Sequence, residues 1–175
     1  FKDEKVAIST ARAGNVIGGG DFAENRIIPD CIRAAYKSQE IIVRNPYSIR
    51  PYQHVLEPLY VYLMIAKAQC ENIEFAGYYN VGPDECDCIT TGDLVDLFCK
   101  EWGNGQAWKN VCNQGPHEAQ FLKLDCSKLK NTFGWGPRWQ ITEAVVKTVE
   151  WAKVYEQNDS IVDCMEKQIR LFMLG

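Results

Sequence analysis

The sequence lacks several features, and each absence removes a class of function. It contains no run of about 18 apolar residues, so no segment is predicted to span a membrane. Basic residues are too few for a nucleic-acid partner, because 19 lysines and arginines stand against 23 acidic residues and the net charge is −4. There is no initiating methionine, and the charged stretch from Phe1 to Lys5 does not have the pattern of a signal peptide. We therefore expect a fragment of a longer cytoplasmic protein.

Metal-binding and disulfide patterns are also missing, although the chain has eight cysteines. No C-x-x-C pair occurs, Cys86-x-Cys88 is too close for the usual zinc knuckle, and only two histidines could add imidazole ligands. Cys31 and Cys99 fall in helical patterns, where a free cysteine behaves as a small apolar residue. These spacings predict reduced thiols and no metal site.

Motifs for catalysis are absent as well. No tyrosine is followed four residues later by lysine, no nucleophile elbow is present, and no carboxylates are paired for acid–base work. The run Gly18-Gly19-Gly20 has neither the lysine of a phosphate-binding loop nor the G-x-G-x-x-G spacing. We interpret it as a tight, mobile turn over a ligand.

Alternating apolar strands and helical patterns predict an α/β fold in one domain. A helix is expected to begin near Arg26, and a capping box is expected at Thr90 to Asp93. Thr142 is expected to cap a later helix. The predicted strands are 6–10, 41–43, 78–82 and 121–124. Three helices are predicted to have an apolar stripe: Ile28, Ile32 and Ala35; Leu56, Leu59, Leu63, Ala66 and Cys70; and, on an inner face, Val145, Val149 and Ala152. A last amphipathic helix is predicted at 161–173.

Two residues in loops and strand ends could bind an anion. Arg50 lies in a loop braced by Pro46 and Pro51, and its planar guanidinium suits a bidentate contact with pyrophosphate. Asn15 follows a strand end, where ligands bind in open α/β sheets. The alternatives remain a surface ion pair for Arg50 and a self-satisfied turn for Asn15.

The two histidines differ in context. His54 precedes an apolar helix, and we interpret it as a hydrogen-bonded structural residue. His117 and Glu118 lie in a loop after Gly115-Pro116, where a polar pair is a candidate for ligand contact.

Four segments in register resemble the extended short-chain dehydrogenases that act on nucleotide sugars. The run 11–21 resembles the strand and loop after the catalytic helix of that family, and 49–55 resembles its R-D-Y/W-x-H-V segment. The run 79–82 resembles its Y-N-I-G strand, and 125–137 resembles its D-x-S-K…G-W-x-P tail. Together these segments span roughly residues 6 to 155.

Three further features resemble the CDP-glucose 4,6-dehydratase branch of this family. They are the run 44–59, in which Pro51 follows Arg50 where most relatives have Asp, the run 117–125 with His117-Glu118, and the run 18–24. The resemblance implies that Asn15 and Arg50 contact the substrate pyrophosphate. It makes Arg26 a candidate for the nucleotide, and it places His117 and Glu118 in a phosphate-contacting loop.

The resemblance also implies an activity. The family enzymes are NAD-dependent lyases: hydride passes from C4 of the hexose to NAD⁺, water leaves across C5 and C6, and hydride returns to C6. The catalytic tyrosine and lysine and the NAD loop precede this segment in the family order. Residues 1–175 are therefore expected to be the C-terminal substrate-binding portion: the last part of a doubly wound Rossmann-type sheet plus a small mixed α/β domain. We expect the isolated chain to be inactive, with NAD bound mainly by the N-terminal portion.

Two alternatives to this function remain. The chain could be half of an epimerase or dehydratase acting on another nucleotide sugar, or a stand-alone module that binds CDP-sugars. The expected partner in each case is a nucleotide sugar, with no nucleic acid and no membrane, and the complete enzyme is expected to be a homo-oligomer. An isolated chain is expected to have an open strand edge and bare apolar surface around Val6, Ile8, Val16 and Ile17. It should therefore self-associate, borrow a strand from a partner, or be marginally stable.

Overall fold

The computed structural model describes residues 6–111 and 121–175, and these residues fold into alternating strands and helices. The strands are β1 (Thr10–Ala13), β2 (Asn15–Ile17), β3 (Ile41–Val43), β4 (Ile49–His54), β5 (Tyr78–Val81), β6 (Cys88–Thr90) and β7 (Trp108–Asn110). The helices are α1 (Ile27–Tyr36), α2 (Leu56–Glu71), α3 (Thr91–Trp102), α4 (Ser127–Phe133), α5 (Ile141–Glu156) and α6 (Ile161–Leu174). The predicted α/β class is confirmed.

The strands of the described residues form three small sheets, most of them parallel. β1 pairs with β5 in parallel, β3 pairs with β7 in parallel, and β4 lies between β2 (parallel) and β6 (antiparallel). Only Gly14 separates β1 from β2, so the chain passes from the first sheet to the second within one residue.

Two apolar cores hold these layers together. The larger core lies among α1, α3, α5 and strands β2 to β4, and the smaller one lies among α2, β5, α4 and Trp135. The predicted apolar stripes of α1 and α5 both point into the larger core. Its members from these helices include Ile28, Ile32, Ala35, Val145, Val149 and Ala152.

Local signals set several helix ends as predicted. α1 begins at Ile27 directly after Arg26. The Thr90 side chain accepts a hydrogen bond from the Asp93 amide, and the Asp93 carboxylate accepts one from the Thr90 amide, so the capping box is confirmed. Gly134 ends α4 in the left-handed conformation, with φ of 61°.

The first strand differs from the prediction. It runs over Thr10–Ala13 rather than 6–10, because β5 offers partners only from Tyr78 to Val81, and Tyr78 pairs with Thr10. Val6 and Ile8 precede the paired residues and are about half exposed. The glycine-rich run also contains a strand, β2, that the sequence did not predict.

Two further boundaries were wrong. At 121–124 no strand is formed: Phe121 makes an isolated bridge to Ile49. α5 is preceded by Gln140 as its first cap residue, so Thr142 lies inside its first turn.

Helix α2 has the predicted extent but buries a different face. Its inward residues are Glu57, Pro58, Val61 and Ile65. The predicted stripe is apolar yet faces outward from the described residues, with Leu59 47% and Leu63 72% exposed. α2 is therefore apolar on two faces, only one of which is covered. Over the described part of the chain, no helix combines the length and apolarity needed to cross a membrane.

Candidate functional site

The β1–β5 sheet and the β2–β4–β6 sheet meet at Gly14, and this junction positions the predicted anion-binding residues. The Gly14 amide donates to the carbonyl of Val81, at the end of β5, over 2.9 Å. A Cβ on Gly14 would lie 2.5 Å from the backbone oxygen of Pro51 in β4, a distance that no side chain tolerates. Glycine is therefore required here for close approach of the two strands.

Asn15 lies immediately beyond the carboxyl end of β1, as expected from the sequence. It is exposed, opens β2 and pairs in register with Tyr52 of β4. Its amide is thus presented at the edge where parallel strands β1 and β5 end, which is the usual ligand-binding edge of such sheets.

Arg50 lies within β4, so the predicted loop position was wrong: Ile49, Arg50 and Pro51 pair with β6. It stands at the same end of the β2–β4 pair as Asn15. It is half-buried and stands two residues before Tyr52, so it shares a strand face with Tyr52, the register partner of Asn15. Its Nη1 donates to the carbonyl of Ile49 over 3.0 Å, which restricts the orientation of the guanidinium. The junction at Gly14 and Pro51 lies directly between Asn15 and Arg50.

A buried hydroxyl network supports β4 beside Arg50. The Tyr52 hydroxyl lies 3.0 Å from Thr91 Oγ1, and Ser48 Oγ lies 2.9 Å from the same atom. The Thr91 amide donates to the carbonyl of Ser48 over 2.9 Å, which fastens the preceding turn to the start of α3.

Gln53 supplies a second support from the adjacent residue of β4. Its buried Nε2 donates to the Val81 carbonyl over 2.8 Å, so the same oxygen receives both Gly14 and Gln53. Sequence reasoning missed Gln53, Thr91 and Ser48, since their partners lie far away along the chain. The only signal was a polar amide within an otherwise buried strand.

The glycine-rich loop packs closely against protein side chains. A Cβ on Gly18 would lie 2.8 Å from Val55 Cγ1, and one on Gly19 would lie 2.1 Å from Trp151 Cδ2. The Phe22 ring lies 6.2 Å from Trp151 and 5.3 Å from Tyr155. Gly18 and Gly19 are therefore required for close packing against Val55 and Trp151, and the role of the turn over a ligand stays a prediction.

Arg26 occupies the cap position of α1 and is already paired. Its Nη1 lies 3.1 Å from Asp21 Oδ2, and its side chain is 67% exposed. A nucleotide phosphate would therefore either replace Asp21 as the partner of the Arg26 guanidinium or bind the N–H groups that Asp21 leaves available.

His117 and Glu118 lie outside the described residues. The described chain resumes at Phe121, which pairs with Ile49, and the Leu122 amide donates to the Ile49 carbonyl over 3.2 Å.

His54 lies at the buried end of β4 and has a structural role, as interpreted from the sequence. It is 2% exposed, its ring lies 4.9 Å from Trp139, and its Nδ1 accepts from the Leu56 amide over 3.3 Å. Burial, and secondarily the charge of Lys147, lowers the pKa of His54 to about 4. Its Nε2 has no hydrogen-bond partner among the described residues.

Glu57, three residues after His54 and in the first turn of α2, has a fully buried carboxyl group. Its Oε1 accepts from the amides of Arg138 and Trp139, each over 2.8 Å. Burial raises the pKa of Glu57 despite these two donors. The carboxyl group thereby fastens the 134–140 loop to the start of α2.

Metal ligation and disulfide formation were considered over 6–111 and 121–175. In these ranges no three His, Cys, Asp or Glu side chains are grouped to hold a metal ion. The seven cysteines that fall in them are all free.

Comparison with known proteins supplies the chemical context. No protein-family model matches the chain. CDP-glucose 4,6-dehydratase of Salmonella typhimurium is 41% identical over 174 residues, which are 99% of this chain and 48% of the Salmonella protein. The resemblance to CDP-glucose 4,6-dehydratase is confirmed. The chain spans about half the length of that relative.

Solved structures of nucleotide-sugar enzymes share the fold. dTDP-glucose 4,6-dehydratase from Bacillus anthracis, in complex with NAD, superposes with a TM-score of 0.70 at 17% identity, over 89% of this chain and 48% of that one. UDP-glucose 4-epimerase from Stenotrophomonas maltophila, with NAD and formylated UDP-arabinopyranose, gives 0.74 at 16% identity, over 90% and 51%. The described residues thus match part of a Rossmann-type dehydratase and epimerase fold, as predicted.

Proposed function

We propose that the complete protein is an NAD-dependent hydro-lyase that converts CDP-glucose into CDP-4-keto-6-deoxyglucose with loss of water. The 41% identity to the Salmonella dehydratase over 99% of the chain carries this proposal. Residues 1–175 would form its C-terminal substrate-binding portion. NAD would be held mainly by the remainder, because the glycine-rich run lacks the G-x-G-x-x-G spacing of a dinucleotide-binding loop. The isolated chain would then be inactive. Free cysteines over the described ranges agree with a cytoplasmic location.

Two surfaces support a further portion of the protein that covers this chain. β1 pairs only with β5 among the described residues, so its other edge has unpaired amides and carbonyls. The outward face of α2 presents Leu59, Tyr62 and Leu63. An apolar helix face and an open strand edge are normally covered, so both surfaces fit contacts with the rest of a longer polypeptide.

Within the chain, we assign the substrate pyrophosphate to Arg50 and Asn15. The fork of the guanidinium matches two phosphate oxygens, and the bond from Nη1 to the Ile49 carbonyl limits its rotation. The Asn15 amide can donate to a phosphate or sugar oxygen at the same sheet edge. Arg26, His117 and Glu118 are assigned supporting contacts with the nucleotide and the phosphates.

The test compares Arg50→Lys with Arg44→Lys in the protein as its gene encodes it. Arg44 is an exposed arginine whose Nη1 lies 3.4 Å from Asn25 Oδ1, and it serves as the matched control. Loss of the bidentate contact should weaken CDP-glucose binding by about 1.5–3 kcal/mol, or roughly 10- to 150-fold in KM. Unchanged KM and kcat in Arg50→Lys would reject the assignment.

The sugar nucleotide is tested separately by competition among CDP, UDP and dTDP for the wild-type enzyme. Preferential binding of CDP is expected, and equal affinities would favour a dehydratase or epimerase of another nucleotide sugar. Absence of 4-keto product with all three glucose nucleotides, despite tight binding, would favour a binding module without chemistry.

A further inference from the structure

Helix α6 has an apolar stripe that is exposed in the described structure. Val162, Met165, Ile169 and Met173 are 65%, 48%, 45% and 56% exposed, respectively. At 3.6 residues per turn they fall within an arc of about 80°. The spacing of three, four and four residues is that of a seam between paired helices.

The stripe is distinct from the face that attaches α6 to the rest of the chain. Cys164, Gln168 and Phe172 are buried on that face. The Gln168 amide donates to the Lys147 carbonyl of α5 over 2.9 Å, and the Phe172 ring lies 5.1 Å from Trp139. α6 is therefore held in place with the stripe directed outward.

One edge of the stripe carries an opposite pair of charges. Glu166 and Arg170 are 61% and 79% exposed and lie 3.5 Å apart, one turn from each other. On the other edge, the residues are the buried ones that contact α5. A partner helix would therefore meet charged side chains along one side only.

We propose that this stripe is a two-fold interface with α6 of a second copy of the same chain, paired antiparallel. The midpoint of the stripe lies near residues 167 and 168. A two-fold axis there sets Glu166 of each copy against Arg170 of the other, so the single charged edge is complementary to itself. A parallel two-fold pair would instead place the charged edge of each copy beside the α5-facing edge of the other, so Glu166 and Arg170 would gain no partner across the seam.

The first experiment replaces apolar side chains by a charge in the protein as its gene encodes it. Ile169→Asp lies on the stripe; Leu171→Asp is the control, because Leu171 is 42% exposed on the same helix but lies about 160° around it. Sedimentation should show that Ile169→Asp halves the mass of the assembly, or raises its dissociation constant at least roughly tenfold. Leu171→Asp should keep the wild-type mass.

The second experiment separates contact between copies from effects within one helix. Glu166→Arg alone and Arg170→Glu alone should each weaken association, because like charges then face each other. A one-to-one mixture of these two variants should associate again, since residue 166 of either copy then faces the opposite charge at residue 170 of the other. Changes confined to one helix cannot produce this recovery.

Three results would overturn the proposal. The first is a monomeric wild-type protein. The second is an unchanged mass for Ile169→Asp. The third is a mixture of the charge variants that associates no better than either alone; if Ile169→Asp then also unfolds the protein, the stripe is covered by the same polypeptide. These results concern assembly, and they leave the proposed dehydratase activity to its own test.

Discussion

The buried pair of His54 and Glu57 predicts a specific loss of stability in acid. His54 is 2% exposed and its pKa is lowered to about 4, from 6.5 for an unperturbed histidine. It therefore stays neutral in the folded protein at pH values where the unfolded chain takes up a proton. The stabilisation is fully present above pH 6.5 and is lost as the pH falls towards 4.

The size of the effect follows from the pKa interval. The difference between 6.5 and about 4 is about 2.5, and each pKa unit corresponds to about 1.4 kcal/mol. Protonation of the unfolded chain should thus remove about 3 kcal/mol of unfolding free energy across this window. Glu57 acts in the opposite sense: its pKa is raised, so its ionisation disfavours the folded state as the pH rises.

Glu57→Gln isolates the histidine contribution. The glutamine oxygen can still accept from the Arg138 and Trp139 amides, but it does not titrate. Denaturant unfolding at about pH 7 and about pH 4 is then compared between Glu57→Gln and the same variant carrying His54→Asn. The pH dependence should be smaller by about 3 kcal/mol in the double variant. Equal pH dependence in the two proteins would show that His54 is not held neutral by burial.

Two other substitutions test the packing that surrounds the site. Gly14→Ala should destabilise the protein by about 1–3 kcal/mol and raise KM for CDP-glucose, because its Cβ would lie 2.5 Å from the Pro51 oxygen. Gly136→Ala, which meets nothing within 4 Å, is the control, and equal thermal melting of the two variants would contradict the close approach. Leu63→Ala should hardly change the stability of the isolated chain, where Leu63 is 72% exposed, but should cost about 2 kcal/mol or more in the complete protein. Equal losses in both would contradict the inference that the remainder covers α2.

Elements defined by local signals could be predicted from the sequence. The capping box at Thr90 needs only Asp93, three residues away, and the start of α1 needs only the apolar period that follows Arg26. Strand ends depended on distant partners instead. β1 is placed by pairing with Tyr78–Val81, some seventy residues later, so its bounds could not be read from residues 6–13.

The candidate site was predictable in part for the same reason. Asn15 was identified because a strand end is a local feature, and Arg50 because its residue type suits phosphate. The support for Arg50 was not found: Thr91 reaches Ser48 and Tyr52 only after the chain has folded back over some forty residues. The roles of Asn15, Arg26, Arg50, His117 and Glu118 as substrate contacts stay predictions.

The glycine-rich run shows that a high glycine content does not by itself indicate a phosphate-binding loop. Gly14, Gly18 and Gly19 are each required because another group approaches closely, and these groups are the Pro51 oxygen, Val55 and Trp151. A phosphate loop requires glycine for the same steric reason, with the ligand as the approaching group. Whether glycine is required by a protein side chain or by a ligand depends on which group approaches it. That group belongs to residues outside the glycine-rich run, so the run alone cannot identify it.

Helix α2 shows that helical spacing of apolar residues does not determine which face of the helix is buried. The sequence predicted an apolar stripe through Leu59 and Leu63, and these residues do share one face. The described core instead takes Val61 and Ile65, which lie on the opposite face of the helix. A period of 3.6 residues identifies apolar faces but does not order them when a helix has two. On the proposal that a further portion of the polypeptide covers this chain, the outward face with Leu59 and Leu63 is the surface that this portion would contact.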